Sequence, residues 1–226
     1  ENSKNKWANG DGNLMYPGGD RSVPPSGHMP KDGFYFDAVV RQDPVDEARH
    51  DPADNRVEFG PVSEADLEHF RSEADRLFTT TDKAIVANFG GTAFGDIALV
   101  PAPWMKRTPG IRAIDEWYVS LHTRPGYVRK VFERQCEIAL ANLARIHAAV
   151  GDRVVAVFVT GTDFGTQNGP FCSPASYRAL FKPFHVEVNR WLHEKTSWKS
   201  FIHSCGPVRA LLPDFVEAGF DILNPV

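Results

Sequence analysis

Among the residues of this 226-residue chain, His203 and Cys205 have the types and spacing most suited to chemistry. They lie in the stretch Trp198 to Asn224, WKSFIHSCGPVRALLPDFVEAGFDILN. In an extended segment alternate side chains share a face, so Phe201, His203 and Cys205 point one way while Trp198, Ser200, Ile202 and Ser204 point the other. An imidazole and a thiol opening into one space are a donor pair for zinc or a similar metal. Spacing alone does not establish a metal, because His-x-Cys also occurs without one. Asp163 follows an apolar run, Arg153 to Val159, and precedes Gly165. It is read either as an acceptor for substrate or a partner orienting His203, or else as a loop carboxylate satisfied by backbone donors. Asn88, Gln167 and Asn224 lie at or just after strand ends and are candidate substrate-binding amides, or turn formers. Cys172 is a small buried thiol or a substitute ligand, and Cys136 falls inside a helical apolar stripe and reads as core.

The elements that must position these residues follow from periodicity. Gly206-Pro207 stops the strand carrying His203, Val208, Leu211, Leu212, Phe215 and Val216 form a helical stripe, and Gly219 ends it before Phe220-Asp221-Ile222-Leu223 starts a second strand. Upstream, Ser63-Glu64-Ala65-Asp66 resembles a capping box and predicts a helix to about Phe78. Lys83 to Asn88 reads as a buried strand. Residues 92–110 are a Pro/Gly-punctuated connection long enough to be functional; Trp104, Trp117 and Trp191 read as core packing rather than a cofactor platform, although Trp104 within this connection could line a pocket. A helix is expected over about 111–121, and Pro125 opens the clearest one, with Val128, Val131, Phe132, Cys136, Ala139, Leu140, Leu143 and Ile146 on one face. Ser173-Pro174 starts another, bent at Pro183. Residues 1–60 are mostly irregular, apart from a hairpin near Leu14-Met15-Tyr16 and a short strand within Phe34 to Val40. Residues 61–226 are β/α units, which points to an α/β protein with a parallel sheet.

Composition bounds the possibilities. At 42% hydrophobic and 24% charged residues the chain suits a soluble globular domain. Its formal charge of −4 comes from interspersed signs without a basic stripe, which argues against nucleic acid and acidic membrane surfaces as partners. The longest apolar run is far short of the roughly 20 residues of a spanning helix. Three widely spaced cysteines make no disulfide framework and suggest a cytoplasmic protein. His28, His50, His122, His147, His185 and His193 lack partner spacing and read as surface or structural. The chain begins with Glu1 and stops two residues past Asn224, so both ends look like cuts in a longer protein.

Several spaced motifs together resemble a known family. Gly161-Thr162-Asp163-Phe164-Gly165-Thr166-Gln167-Asn168-Gly169-Pro170, Ser173-Pro174 with Tyr177-Arg178 and Lys182-Pro183, His203-Ser204-Cys205-Gly206, and Glu217 to Val226 are similar to the uroporphyrinogen decarboxylase superfamily, most of all its cobalamin-dependent methyltransferase branch. The resemblance implies a (β/α)8 TIM barrel, truncated here at both ends, as a single domain over residues 1–226 with its site at the C-terminal strand ends. It implies a zinc-dependent methyltransferase moving a methyl group between a corrinoid and a thiol. His203 and Cys205 would be metal ligands, a third ligand would lie beyond Val226, and methylcobalamin would be co-substrate, carried on a partner corrinoid protein. Two features depart from the family: a single carboxylate, Asp163, stands where members often carry paired acids, and the Arg-rich N-terminal motif of the decarboxylases is absent. Two alternatives stay open. One is decarboxylation of a porphyrin-like substrate, needing Arg21, Arg41, Arg107, Arg112 or Arg124 to converge on its carboxylates; the other is a non-catalytic barrel that only binds a ligand.

Overall fold

The parallel sheet that carries the candidate residues has its two central strands packed into the hydrophobic core through one face and is more open on the other. The structure, a computed structural model, describes residues 6–9 and 12–225. Residues 1–5, 10–11 and 226, which belong to the stretches read as the N-terminal excursion and the closing Asn-Pro-Val motif, lie outside the described residues.

The N-terminal region is more regular than its Gly/Pro-rich composition predicts. Strands β1 (Lys6–Asn9), β2 (Gly12–Met15), β3 (Gly27–Pro30) and β4 (Asp37–Ala38) form an antiparallel sheet in that order. The expected hairpin is thus β1–β2, with Lys6 opposite Met15, and the predicted strand in 34–40 shrinks to two residues. Turn residues mark where the chain reverses, but short strands between closely spaced turns have too few alternating residues to be visible as periodicity.

The second half alternates strands and helices as expected. Helix α1 (Glu64–Thr80) is capped by Ser63, whose Oγ accepts the Asp66 N–H at 3.1 Å. Asp66 accepts the Ser63 hydroxyl in return at 2.6 Å. Strand β5 (Val86–Ala87) is followed by the long connection, α2 (Ile114–Thr123), α3 (Pro125–Val150), β6 (Ala156–Thr160), α4 (Pro174–Leu180), α5 (Lys182–Lys195), β7 (Lys199–His203), α6 (Leu212–Glu217) and β8 (Ile222–Asn224). The helix expected at 111–121 starts three residues later, after the buried Ile111, Arg112 and Ala113, the last of them in extended backbone. The helix expected to bend at Pro183 instead divides at Phe181 into α4 and α5, with Pro183 in the first turn of α5, where a missing N–H is tolerated.

The strand order β5-β6-β7-β8 follows the chain order, and every pairing is parallel. The protein is therefore mixed α/β with a parallel four-stranded sheet and helices. Trp198, Ser200, Ile202, Val157 and Val159 are buried on the helix-covered face with the α3 stripe, including Cys136. On the opposite face Phe158 and Phe201 meet edge to face at 5.4 Å between ring centroids and are only partly buried. Val86 lies there too and is 53% exposed, so the buried strand expected over Lys83 to Asn88 is a two-residue edge strand with one open face. Among the described residues no helix is long and apolar enough to cross a membrane.

Candidate metal centre

Asp163 and the His203–Cys205 pair converge at the C-terminal ends of β6 and β7, the end where parallel α/β folds place their chemistry. One ligand atom from each lies within 4.8 Å of the others. His203 Nε2 is 3.1 Å from Cys205 Sγ and 3.7 Å from Asp163 Oδ1. The pleat therefore does bring the imidazole and thiol into one space, and at 39% side-chain exposure for Asp163 and 31% for His203 the group opens to solvent.

Local chemistry explains the convergence. After β6, which has a register irregularity between Phe158 and Thr160, the buried hydroxyls of Thr160 and Thr162 bond each other at 2.8 Å, and Thr162 donates to the Phe94 carbonyl. Thr92 donates to the Val159 carbonyl from the other side. The loop from β6 then meets the loop from β7 through three bonds: Cys205 N–H to Asp163 Oδ1 at 2.6 Å, Phe164 N–H to Ser204 Oγ at 2.9 Å, and Gly165 N–H to the Cys205 carbonyl at 3.1 Å. Such closeness requires two glycines. A Cβ on Gly165 would stand 2.4 Å from the Cys205 carbonyl oxygen, and one on Gly206, whose φ is +79°, would stand 2.7 Å from the Gly165 carbonyl carbon. Ser204 also ties in β8 by donating its N–H to the Asn224 carbonyl at 3.0 Å.

Orientation of His203 comes from Asn224. Its Oδ1 lies 2.9 Å from His203 Nδ1, so the imidazole donates there and keeps its Nε2 lone pair facing Cys205 and Asp163. The sequence pattern offers Asp163 for the orienting role, but Asp163 instead holds the Cys205 backbone and contributes a third donor atom. Asn88 is exposed and accepts the Gly90 N–H at 3.2 Å, which is turn formation rather than cluster geometry. Gln167 is exposed in the turn closed by Thr166 N–H to the Gly169 carbonyl at 2.6 Å. Cys172 is partly buried, and burial pushes its thiol up to about 11; Cys136 is pushed up to about 12 by burial in the core. The Cys205 thiol is also held above its ordinary value, by desolvation first and then by the Asp163 charge.

Sequence reasoning missed Asp96 and the cleft it borders. A cavity of about 430 Å³ lies between the antiparallel sheet and the strand ends, with Met15, Phe36, Asp37, Asp96, Gly161 and Asp163 in its wall. Burial raises the Asp96 carboxyl, and Asp163 adds to the rise. Tyr118 is raised for the same reasons, burial first and then Asp163 and Asp96. Among the described residues the cavity wall contains three carboxylates and no Lys, Arg or His. None of the arginines considered for a polycarboxylate substrate lines this cleft. Arg41 clamps the Met105 and Ala102 carbonyls, Arg112 pairs with Glu58, and Arg124 pairs with Glu47 and Glu116. Arg21 lies over the Tyr16 ring and Arg107 is exposed. A Gly-Asp pair inside an overlong loop, Gly95-Asp96, was the signal available for this acid.

No family model matches the chain, and no curated protein matches it. Among solved structures the chain is similar to a methyltransferase from Methanosarcina mazei, with 14% sequence identity and a TM-score of 0.47 over 70% of this chain and 40% of that one. This chain thus spans about 40% of the length of the structure it matches.

Proposed function

We propose that this chain forms part of a zinc-dependent methyltransferase, moving a methyl group between a corrinoid and a thiol, on a (β/α)8 barrel of the uroporphyrinogen decarboxylase superfamily. The observation that carries the proposal is the cluster of His203 Nε2, Cys205 Sγ and an Asp163 carboxylate oxygen at adjacent parallel strand ends, with Asn224 holding the imidazole tautomer. The two spacings measured from His203 Nε2 suit one tetrahedral ion: with bonds of about 2.0 Å to nitrogen or oxygen and about 2.3 Å to sulfur, ligand atoms sit about 3.3–3.5 Å apart. The observed 3.1 and 3.7 Å straddle that range. The barrel reading is supported by strand order, since successive barrel units pair in sequence whereas doubly wound sheets reverse direction.

Zinc bound there would supply Lewis acidity, holding a substrate thiol as the thiolate at neutral pH. The chain's own residues do the positioning. His203 and Cys205 are the ligands in this reading, Asn224 fixes the ring, and Asp163 anchors the Cys205 loop while offering a third donor. The cleft beside Asp163 would receive the thiol, and methylcobalamin, carried by a partner corrinoid protein, would exchange the methyl group as co-substrate. Decarboxylation of a porphyrinogen has less support, because the acidic cleft repels a polycarboxylate and Arg41, Arg112 and Arg124 are held by other partners.

Metal analysis of the full-length protein tests the proposal. About one zinc per chain is expected, lost in Cys205→Ala and His203→Ala, together with loss of thiol methylation by methylcobalamin. Absence of zinc, or an unimpaired Cys205→Ala enzyme, overturns it.

A further inference from the structure

Asp96 holds a carboxylate in the wall of the cleft beside Asp163 and leaves half of it unbonded. Its place in the long β5–α2 connection is set by backbone bonds: the Asp96 carbonyl accepts the Leu99 N–H at 2.9 Å and the Val100 N–H at 2.8 Å. One side-chain oxygen, Oδ1, accepts the Ala98 N–H at 2.9 Å, which fixes the carboxylate. The other, Oδ2, accepts no bond from the described residues and lies 3.8 Å from where a Cβ on Gly161 would stand, on the same cleft wall. The fully buried polar atoms without a partner are on Arg41, Trp117, His185, Asn189 and Asp214, whereas Asp96 is partly exposed, so Oδ2 is reachable from the cleft.

A carboxylate drawn away from bulk water needs a cation or several donors, and Asp96 has one backbone donor and no ion pair among the described residues. Burial raises its carboxyl, and both Asp163 and His203 are close enough to act on its charge, which puts it beside the cluster. Asp163 is engaged differently, by the Cys205 N–H at 2.6 Å and by its place among the three donor atoms. With no Lys, Arg or His in the cleft wall, the charge that would balance Asp96 has to come from a ligand. The rest of the wall, with Met15, Phe36, Pro101 and Ile114, is apolar and suits a short carbon chain. At about 430 Å³ the cleft is more than twice the ~150 Å³ that holds benzene, so space is not limiting.

We propose that the substrate of this cleft is an aminothiol, its ammonium group bound by the free oxygen of Asp96 and its sulfur directed to the cluster of Asp163, His203 and Cys205. The sulfur end rests on the methyl-transfer reading above; the ammonium site rests only on Asp96 and its cleft. A neutral thiol leaves the carboxylate unbalanced, and an anionic one meets repulsion from Asp96 and Asp37, so charge selects the substrate. A second cavity, of about 220 Å³ and lined by Trp104, also borders Asp96, but Phe59, Leu99, Val131 and Phe132 make it apolar and it offers the ammonium group no better partner.

Calorimetric titration of the full chain with S-methylcysteamine, S-methylmercaptoethanol and S-methylmercaptopropionate tests the ammonium site without metal or turnover, because these thioethers differ chiefly in charge. The amine is expected to bind tenfold or more tightly than the alcohol, with the acid weakest. In Asp96→Asn, which keeps an oxygen for the Ala98 N–H, the ratio of amine to alcohol should fall to near one. Ile114→Trp, which fills the cleft, should weaken amine binding about tenfold, and it carries the test if Asp96→Asn fails to fold. Equal binding of amine and alcohol, no binding of the amine, a preference that survives in Asp96→Asn, or amine binding undiminished in Ile114→Trp overturns the inference. A protein that prefers the amine yet holds no zinc and methylates no thiol supports the ammonium site and overturns the methyl-transfer reading, so the two fail separately.

Discussion

Replacing Gly165 by alanine tests how the site is assembled. Its backbone is not in the left-handed region, so alanine can adopt it and the added Cβ is the only insult. That Cβ would lie 2.4 Å from the Cys205 carbonyl oxygen and 2.6 and 2.7 Å from the Gly206 carbonyl carbon and Cα, all backbone atoms of the facing loop. No side chain can rotate away to relieve the contact. Reaching 3.0 Å, below which real Cβ contacts essentially do not occur, requires the loops to part by at least 0.6 Å (3.0 − 2.4). The same movement stretches the Cys205 N–H bond to Asp163 at 2.6 Å and the Gly165 N–H bond to the Cys205 carbonyl at 3.1 Å. Metal sites tolerate departures of about 0.2 Å in ligand distance, so on the zinc methyltransferase proposed above a zinc affinity loss of roughly 10–100-fold is expected, with a comparable fall in kcat. Overpacking of this kind should also cost about 1–3 kcal/mol of stability. The assays are zinc titration against a competing chelator and thermal unfolding of the metal-free protein, with Gly126→Ala, where an added Cβ meets nothing within 4 Å, as control. Zinc affinity and melting temperature both equal to wild type in Gly165→Ala would refute the idea that close glycine packing holds the cluster together.

On the same proposal, Asn224→Ala should lower zinc affinity by roughly 10–100-fold with little change in fold, because it removes the acceptor that fixes the His203 tautomer; Asn224→Asp, which keeps an acceptor, should recover most of it, and equal loss in both variants would contradict the orienting role. His185 is fully buried against the Tyr177 hydroxyl at 2.9 Å, and desolvation pushes its pKa down to about 3. The unfolded chain therefore binds a proton there below about pH 6.5 that the folded chain does not, so stability present above that pH is lost as pH falls, by up to about 1.4 kcal/mol per pH unit down to pH 3. Urea unfolding of His185→Gln across pH 7 to 4 should show a shallower decline than wild type. Asp214 is buried and receives Arg178 at 2.7 Å and Lys182 at 2.8 Å, with Arg178 the largest influence holding its carboxyl below the ordinary range. Its contribution is present above about pH 4 and disappears as pH falls through the lowered folded value. Asp214→Asn should cost about 1–2 kcal/mol at pH 7, measured by urea unfolding, and the gap to wild type should close in acid.

Much of the architecture is legible in the linear pattern because its causes are local. The serine caps at Ser63 and Ser173, the proline at the start of α3 and the α3 stripe act within a turn or two of helix, so α1, α3 and α4 appear close to where periodicity predicts them. The alternation of residues 198 to 205 likewise puts His203 and Cys205 on one face, and their side chains meet at 3.1 Å. Burial is not legible to the same degree. Lys83 to Asn88 is apolar enough for an interior strand, yet β5 is a short edge strand, since burial depends on neighbours that no local window contains.

The identity of the third donor and of the residue orienting His203 was decided only in three dimensions. Asp163 lies 40 residues before His203, and Asn224 lies 21 after it; both reach the imidazole because β6, β7 and β8 run side by side and end together, with the register shift of β6 against β7 just before Asp163. Composition could nominate these polar residues but could not say which bonds a ring nitrogen and which caps a turn, as the contrasting fates of Asn224 and Asn88 show. Side-chain types and local spacing determine which segments become strand or helix, whereas distances between atoms remote in sequence are set by strand register and by how closely two backbones can approach. At this site that approach depends on the absence of a Cβ at Gly165 and Gly206.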